Sequence, residues 1–246
     1  MQNEKKSSSV GIVVAILVIS LLIAGGVVAA ALIISANNND SSVSSSGEDK
    51  PSVVVNQKPN ENNNPGILAS DHVRGKRDSK VLVVEYADPQ CPGCASMMPK
   101  MDAIYEKYKD KVAFVYRHYP ITGHQNAVSA AVAIEAAGKQ GYFWEMLSAV
   151  FDNRSDWVYE SGSDLTNAYV DIFEEVAGKK GDSKQFRNDL SSSELKNKVN
   201  NDKKLGQEDE ISATPTIIVN GEQVDFYTSS DVKQTIIDAI DEALKD

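Results

Sequence analysis

The stretch from Val81 to Met101, VLVVEYADPQCPGCASMMPKM, constrains this chain more than any other. An apolar run (Val81, Leu82, Val83, Val84) leads into a short polar turn that delivers Cys91 and Cys94, and helix-forming sequence follows. A strand feeding a Cys-Pro-Gly-Cys turn that opens a helix is what a dithiol/disulfide redox site needs. The helix N-terminus carries partial positive charge and unpaired N–H groups, which favour a thiolate at Cys91 over a thiol. Cys94 lies one turn further in, placed to close a disulfide with Cys91 and to release whatever Cys91 has captured. These are the only 2 cysteines among 246 residues.

Two other uses of the pair compete with this one. A structural zinc site takes four ligands, typically with a second Cys or His pair at short spacing. His72, His118 and His124 offer no such pair. An inert bridge over so short a span closes almost no loop and restricts the unfolded chain little. The pattern favours redox chemistry with no metal over a zinc site or a structural bridge.

The formal net charge of −10 argues against nucleic acid, since a surface that tracks phosphates would be basic. Residues 1–9 are polar and carry Lys5 and Lys6; residues 10–35 are apolar and uncharged. A run of about 25 such residues is long enough to cross a bilayer. The lysines precede it and Asp40 follows, so the positive-inside rule predicts a cytoplasmic tail, a single-pass cell-membrane anchor and an extracytoplasmic remainder. A cleaved signal peptide is the alternative, although its apolar region would run only about 7–15 residues. Residues 36–65 are rich in Ser and Asn and offer little to bury, which predicts a disordered linker.

The folded part is expected over 66–246. Strands are predicted at Lys80–Tyr86 and Val112–Arg117, flanking a redox helix that runs to about Asp110 and kinks at Pro99. Helical segments follow over Asn126–Ala137, Tyr142–Phe151, Leu165–Ala177, Ser183–Leu190 and Glu194–Leu205, an insertion of about 123–210. Asn220-Gly221 then predicts a hairpin between Thr216–Val219 and Gln223–Phe226. A closing helix over Ser230–Leu244 is capped by Ser229 or Ser230. On this order, strands separated by helices run parallel and only the last pair is antiparallel. Tyr142, Phe143, Trp144 and Met146 are read as core of the inserted helices. His124 is expected to cap or pack the first of them, His118 to end a strand and His72 to precede the core, none with a direct catalytic part.

Glu85 interrupts a strand that should be buried on both faces, where an acid is costly unless it has a task. Buried near the cysteines, its pKa should rise, which suits proton exchange with Cys94; a carboxylate reaching solvent at the strand end is the alternative. Asp88 and Gln90 flank the turn and are candidates for tuning it. Thr214-Pro215 precedes the hairpin, and an X–Pro bond has only a small trans preference. A cis bond there would leave neighbouring backbone free to pair with an extended substrate; a trans proline opening a strand is the alternative.

From His72 to the C-terminus the chain resembles the thioredoxin fold, and within it the DsbA-like thiol–disulfide oxidoreductases, especially the membrane-anchored BdbD-type branch. The likeness rests on CPGC after VLVVEY, Pro99 in the redox helix, FVYRHYP, the segment GHQNA through EAAGKQGYFWEM, and ATPTIIVNG. It implies an α/β thioredoxin-like domain with a helical insertion, behind the predicted transmembrane helix. It also implies a nucleophilic Cys91, a cis-proline loop at Thr214-Pro215 facing the disulfide, and an acid at Glu85. The family dipeptide is often Pro-His or Pro-Ser, whereas Pro92-Gly93 stands here, and these two residues are expected to set the redox poise. The expected activity is disulfide donation to cysteine-containing exported proteins, with reoxidation by a quinone-linked membrane partner of the DsbB or VKOR kind. The Cys91–Cys94 disulfide would be the sole redox group, with no added cofactor. The rival expectations are a membrane-tethered reductase or isomerase, and a non-catalytic binding or chaperone module.

Overall fold

A computed structural model describes residues 66–245. The predicted tail, anchor and linker lie outside the described residues. Among the described residues no helix is long and apolar enough to cross a membrane.

Among the described residues the strands are β1 (His72–Gly75), β2 (Leu82–Ala87), β3 (Ala113–His118), β4 (Thr216–Val219) and β5 (Glu222–Gln223), ordered β1-β3-β2-β4-β5 in one sheet. Strand β2 holds the centre because all six of its residues are buried, as a strand covered on both faces demands. It pairs in parallel with β3, as expected of strands joined by a helix. The expectation that only the final pair is antiparallel is overturned: β4 runs antiparallel to β2, and β1 antiparallel to β3. The chain between β3 and β4 is long enough to bring β4 in from either end of the sheet, so the crossover rule for a single helix does not bind it.

Strand β1 was not anticipated from its sequence, and His72 therefore lies within the sheet rather than before the core. Its four residues, HVRG, show no apolar alternation and are only partly buried, as suits an edge strand. The hairpin turn is as predicted: Asn220 and Gly221 have φ of 48° and 89°, the left-handed pair that a tight two-residue hairpin needs. Strand β5 stops at Gln223 rather than reaching Phe226. Phe226 instead turns inward and is buried against the sheet with Ile236 and Ile240.

On one face of the sheet, Val83, Phe114, Ile217 and Val219 pack against α1 (Pro92–Tyr108) and α7 (Val232–Ala243) through Met97, Met101, Ile104, Ile236 and Ile240. Helix α1 continues through Pro99. Helix α7 is capped by Asp231, which accepts from the Gln234 N–H at 3.0 Å, not by either preceding serine. The opposite face buries Leu82, Val84, Tyr86, Val115, Tyr119 and Ile218.

The insertion comprises α2 (Ala127–Gly138), α3 (Phe143–Asp152), α4 (Gly162–Ala177), α5 (Ser183–Asp189) and α6 (Ser193–Glu208). The alanines of α2 are fully buried; their small side chains let the surrounding helices approach closely. Met146, Phe143, Trp157, Phe173 and Phe186 fill the space between those helices, with Phe173 and Phe186 stacked at 4.2 Å. This core is continuous with Cys94, Met98, Ala87 and Tyr116. The insertion is thus packed directly onto the base of the redox turn.

Candidate active site

Cys91 caps the N-terminus of α1 with extended backbone (φ −71°, ψ 124°), and Pro92 occupies the first turn, where its missing N–H costs nothing. The sequence-predicted geometry is therefore present: Cys91 is partly exposed, while Cys94, one turn on, is 1 % exposed. Both are free thiols. The peptide bond between Thr214 and Pro215 is cis, and the loop lies against the cysteines, with Cys91 Sγ 3.5 Å from the Thr214 carbonyl oxygen. A Cβ added at Gly93 would sit 3.4 Å from Pro215 Cδ and 3.6 Å from Cys91 Sγ. A larger residue in the dipeptide would therefore extend along the gap between the sulfur and the loop.

The two thiols have opposite acidities, each with a physical cause. Cys91 is pulled down to about 5, first by the Cys94 thiol donating to it. Burial opposes that, while the Thr214 hydroxyl and the backbone N–H groups of Gly93 and Cys94 reinforce it. Burial, joined by the Cys91 hydrogen bond, pushes Cys94 far above the usual thiol range. Two weaker contacts work the other way: the Asp88 N–H, 3.4 Å from its sulfur, and Thr214. One cysteine is a ready nucleophile and the other needs a base before it can attack.

Glu85 is 5 % exposed in the centre of β2. Burial raises its pKa to about 7, moderated by the Arg74 guanidinium and raised further by Asp102. Arg74 itself lies between the rings of Tyr105 and Trp144, at 4.2 and 4.5 Å from their centroids, and donates to Asp102 Oδ1 at 3.0 Å. Sequence reasoning missed Arg74 because nothing in HVRG marks a strand. Its cation keeps the buried acid from rising further, within reach of neutral pH.

Asp88 and Gln90 join the turn to the insertion. Asp88 is fully buried and its carboxylate accepts from the N–H groups of Gln90 (2.7 Å) and Ile121 (2.8 Å); its Oδ2 also lies 2.7 Å from His124 Nδ1. His124 thus braces the redox turn rather than capping a helix, and the cap position of α2 belongs to Asn126. Gln90 Oε1 accepts from the Asn126 N–H at 2.8 Å, and Arg154 donates twice to the Gln90 carbonyl, at 2.6 and 3.1 Å. These bonds fix the residue before Cys91 from the helical side.

A second buried polar group was not foreseen. His118 ends β3 as expected, yet it is fully buried, 3.2 Å from Glu135 Oε1. His72 Nε2 is 2.8 Å from the other oxygen of Glu135. Lys198 completes the group at 2.6 Å from Asp202 and 3.4 Å from Glu135. Burial alone would raise Glu135, but Lys198, His118 and His72 outweigh it and hold the carboxyl well below the usual range. Acceptor atoms of His118, Glu135 and Asp202 lie within 4.8 Å of one another, and the Lys198 ammonium supplies positive charge between the two carboxylates.

Comparison with known proteins bears on the fold and family. The family model described as Thioredoxin matches residues 68–239. The oxidised BdbD of Bacillus subtilis superposes with a TM-score of 0.62 at 25% identity, covering 72% of this chain and 94% of that one. A Bacillus cereus protein described as probable disulfide bond formation protein D is 28% identical over 178 residues, 68% of this chain and 78% of its own length. The Na(+)/H(+) antiporter NhaA 1 of Mycolicibacterium vanbaalenii is 34% identical over 154 residues, 61% of this chain. The match spans only 23% of that antiporter's length. The chain belongs to the thioredoxin family and, within it, to the DsbA-like thiol–disulfide oxidoreductases.

Proposed function

We propose that this protein is an extracytoplasmic, membrane-anchored disulfide donor that oxidises cysteine pairs in exported proteins through its Cys91-Pro-Gly-Cys94 centre. The observation that carries the reading is the asymmetry of the two sulfurs. Cys91 is partly exposed with its pKa pulled down to about 5, and Cys94 is buried and weakly acidic. A stabilised Cys91 thiolate stabilises the reduced dithiol, which makes the disulfide the more oxidising form.

In the forward reaction a substrate thiolate attacks Cys91 Sγ, the bond to Cys94 breaks, and its electron pair leaves on Cys94. The second substrate thiolate then attacks the mixed disulfide, releasing oxidised substrate and leaving two enzyme thiols. The Thr214-Pro215 loop beside Cys91 offers backbone for an extended substrate chain. The two sulfurs serve as the whole redox group, with no added cofactor or metal. A quinone-linked membrane protein of the DsbB or VKOR kind would reoxidise them. The apolar run over 10–35 supports the anchor, and the flanking charges support its orientation.

Cys94→Ser supplies the test. The variant retains the nucleophile and loses the residue that frees it, so incubation with a symmetric peptide dimer joined by one disulfide should release one peptide as its thiol and trap the other on Cys91, visible as a mass increase of about half the dimer. Absence of any adduct with Cys91 still reactive toward alkylation rejects the exchange chemistry.

A further inference from the structure

Everything that favours a thiolate at Cys91 is short-ranged. The Cys94 thiol, the Thr214 side chain and the N–H groups of Gly93 and Cys94 act on its sulfur through hydrogen bonds, which weaken steeply with distance and angle. Both thiols are free, so these are the contacts of the reduced protein. Their strength depends on where Sγ sits. Cys91 is the cap of α1, and its position is set by the peptide that enters it from Gln90.

That peptide is gripped from the insertion. Arg154 donates to the Gln90 carbonyl through Nη2 at 2.6 Å and through Nε at 3.1 Å, across 64 positions of sequence. Two N–H groups of one guanidinium on one oxygen fix direction as well as distance, and a charged donor makes the stronger bond. Holding an arginine in one conformation costs side-chain entropy, and here that cost is spent on a single carbonyl.

The arm is itself held at its base, in the short turn Arg154–Asp156 between α3 and α4. The Arg154 carbonyl accepts from the N–H groups of Trp157 and Val158. Trp157 is fully buried in the core of the insertion, where its indole N–H donates to the Val150 carbonyl at 2.9 Å. At the other end, the Gln90 N–H is taken by Asp88 Oδ1 and its side-chain oxygen by the Asn126 N–H. Arg154 therefore secures the end of Gln90 that adjoins Cys91.

We infer that Arg154 is a positioning residue: by gripping the Gln90 carbonyl it holds Cys91 Sγ among its hydrogen-bond donors and so sets how strongly the Cys91–Cys94 disulfide oxidises its substrates. The inference rests on the thiol–disulfide reading above and adds a residue that acts through Gln90. With the grip released, the Gln90–Cys91 peptide is free to rotate, the sulfur shifts from its donors, and the thiolate loses stabilisation. The reduced dithiol is then less favoured and the disulfide becomes a weaker oxidant. On this account the insertion tunes the redox centre as well as covering it.

Two substitutions in the full chain test the grip. Arg154→Met removes both bonds, and Arg154→Lys keeps the charge but loses the planar fork. Each variant and wild type is equilibrated with glutathione, where the enzyme disulfide and two glutathione thiols give the enzyme dithiol and one glutathione disulfide. Cys91 is titrated in parallel by the ultraviolet absorbance of its thiolate. Arg154→Met should shift the equilibrium about tenfold toward the enzyme disulfide, equivalent to about 30 mV. Its Cys91 midpoint should rise from about 5 in step. Arg154→Lys should fall between Arg154→Met and wild type. Both variants should fold, because Arg154 is partly exposed on a surface turn. A purely structural role predicts a lower melting temperature with equilibrium and titration as in wild type, and that result overturns the inference. Arg154→Lys matching wild type while Arg154→Met does not also overturns it, since the charge and not the grip would then be responsible. Either result leaves the thiol–disulfide reading in place. A folded wild type whose cysteines do not exchange with glutathione overturns both.

Discussion

Replacing Cys91 with serine is expected to lower the rate of oxidation of a reduced dithiol peptide on the order of a thousandfold or more, to the level of buffer. A serine hydroxyl neither accepts a disulfide nor ionises near neutral pH, whereas Cys91 is held at about 5. The fold should tolerate the change. Cys91 is partly exposed at the cap of α1, where serine is itself a favoured residue, and the core residues beneath it are untouched. Thermal melting should therefore stay near wild type while activity disappears. The same variant separates the enzyme from a tethered binding or chaperone module: if suppression of aggregation survives undiminished and accounts for all the activity seen, the dithiol is idle.

The second large effect is expected at Glu85. Its carboxyl titrates near 4.5 in the unfolded chain and at about 7 in the fold. The folded state thus binds the proton more tightly, and stability must fall as pH rises between those two values. Above about pH 7 the penalty is complete and amounts to about 3 kcal/mol. Glu85→Gln removes it, so the variant should be more stable than wild type at pH 8, with the gain shrinking toward pH 5. Activity should move the opposite way. Release of the second thiol from a substrate disulfide requires Cys94 to lose a proton, and wild type should accelerate through an inflection near pH 7 as Glu85 becomes a base. In Glu85→Gln that inflection should be absent and the rate at pH 7.5 roughly 10–100-fold lower. Denaturant melts at pH 5 and 8 and a stopped-flow pH series check both halves. An unchanged rate profile would remove Glu85 from the chemistry, whatever its effect on stability.

Gain in stability with loss of rate marks a residue kept for function at the expense of the fold. That is also why Glu85 was legible: a lone acid in the run VLVVEY breaks the pattern that burial on both faces imposes. Cys91, Cys94 and Thr214-Pro215 were legible for a similar reason, since their spacing and place at element ends have few structural uses. The helices between the third and fourth strands followed from helical periodicity, and the Asn220-Gly221 hairpin from turn chemistry. What local pattern could not reveal was how distant segments meet. The antiparallel entry of β4 depends on the path of the whole insertion, and β1 is too short and too mixed to signal a strand. Arg74 matters only because Tyr105 and Trp144 close over it. The grip of Asp88, His124, Gln90 and Arg154 on the turn likewise joins residues 36 to 64 positions apart, although Asp88 and Gln90 were marked as candidates by their position alone.

The direction of exchange is the claim on which the rest depends, and the equilibrium reduction potential of the Cys91–Cys94 pair against glutathione measures it. A Cys91 thiolate stable at about pKa 5 stabilises the reduced form. The account therefore predicts a potential between about −200 and −120 mV, in the range of proteins that form or rearrange disulfides. A value at or below about −270 mV, where thioredoxin works as a reductant, would contradict it.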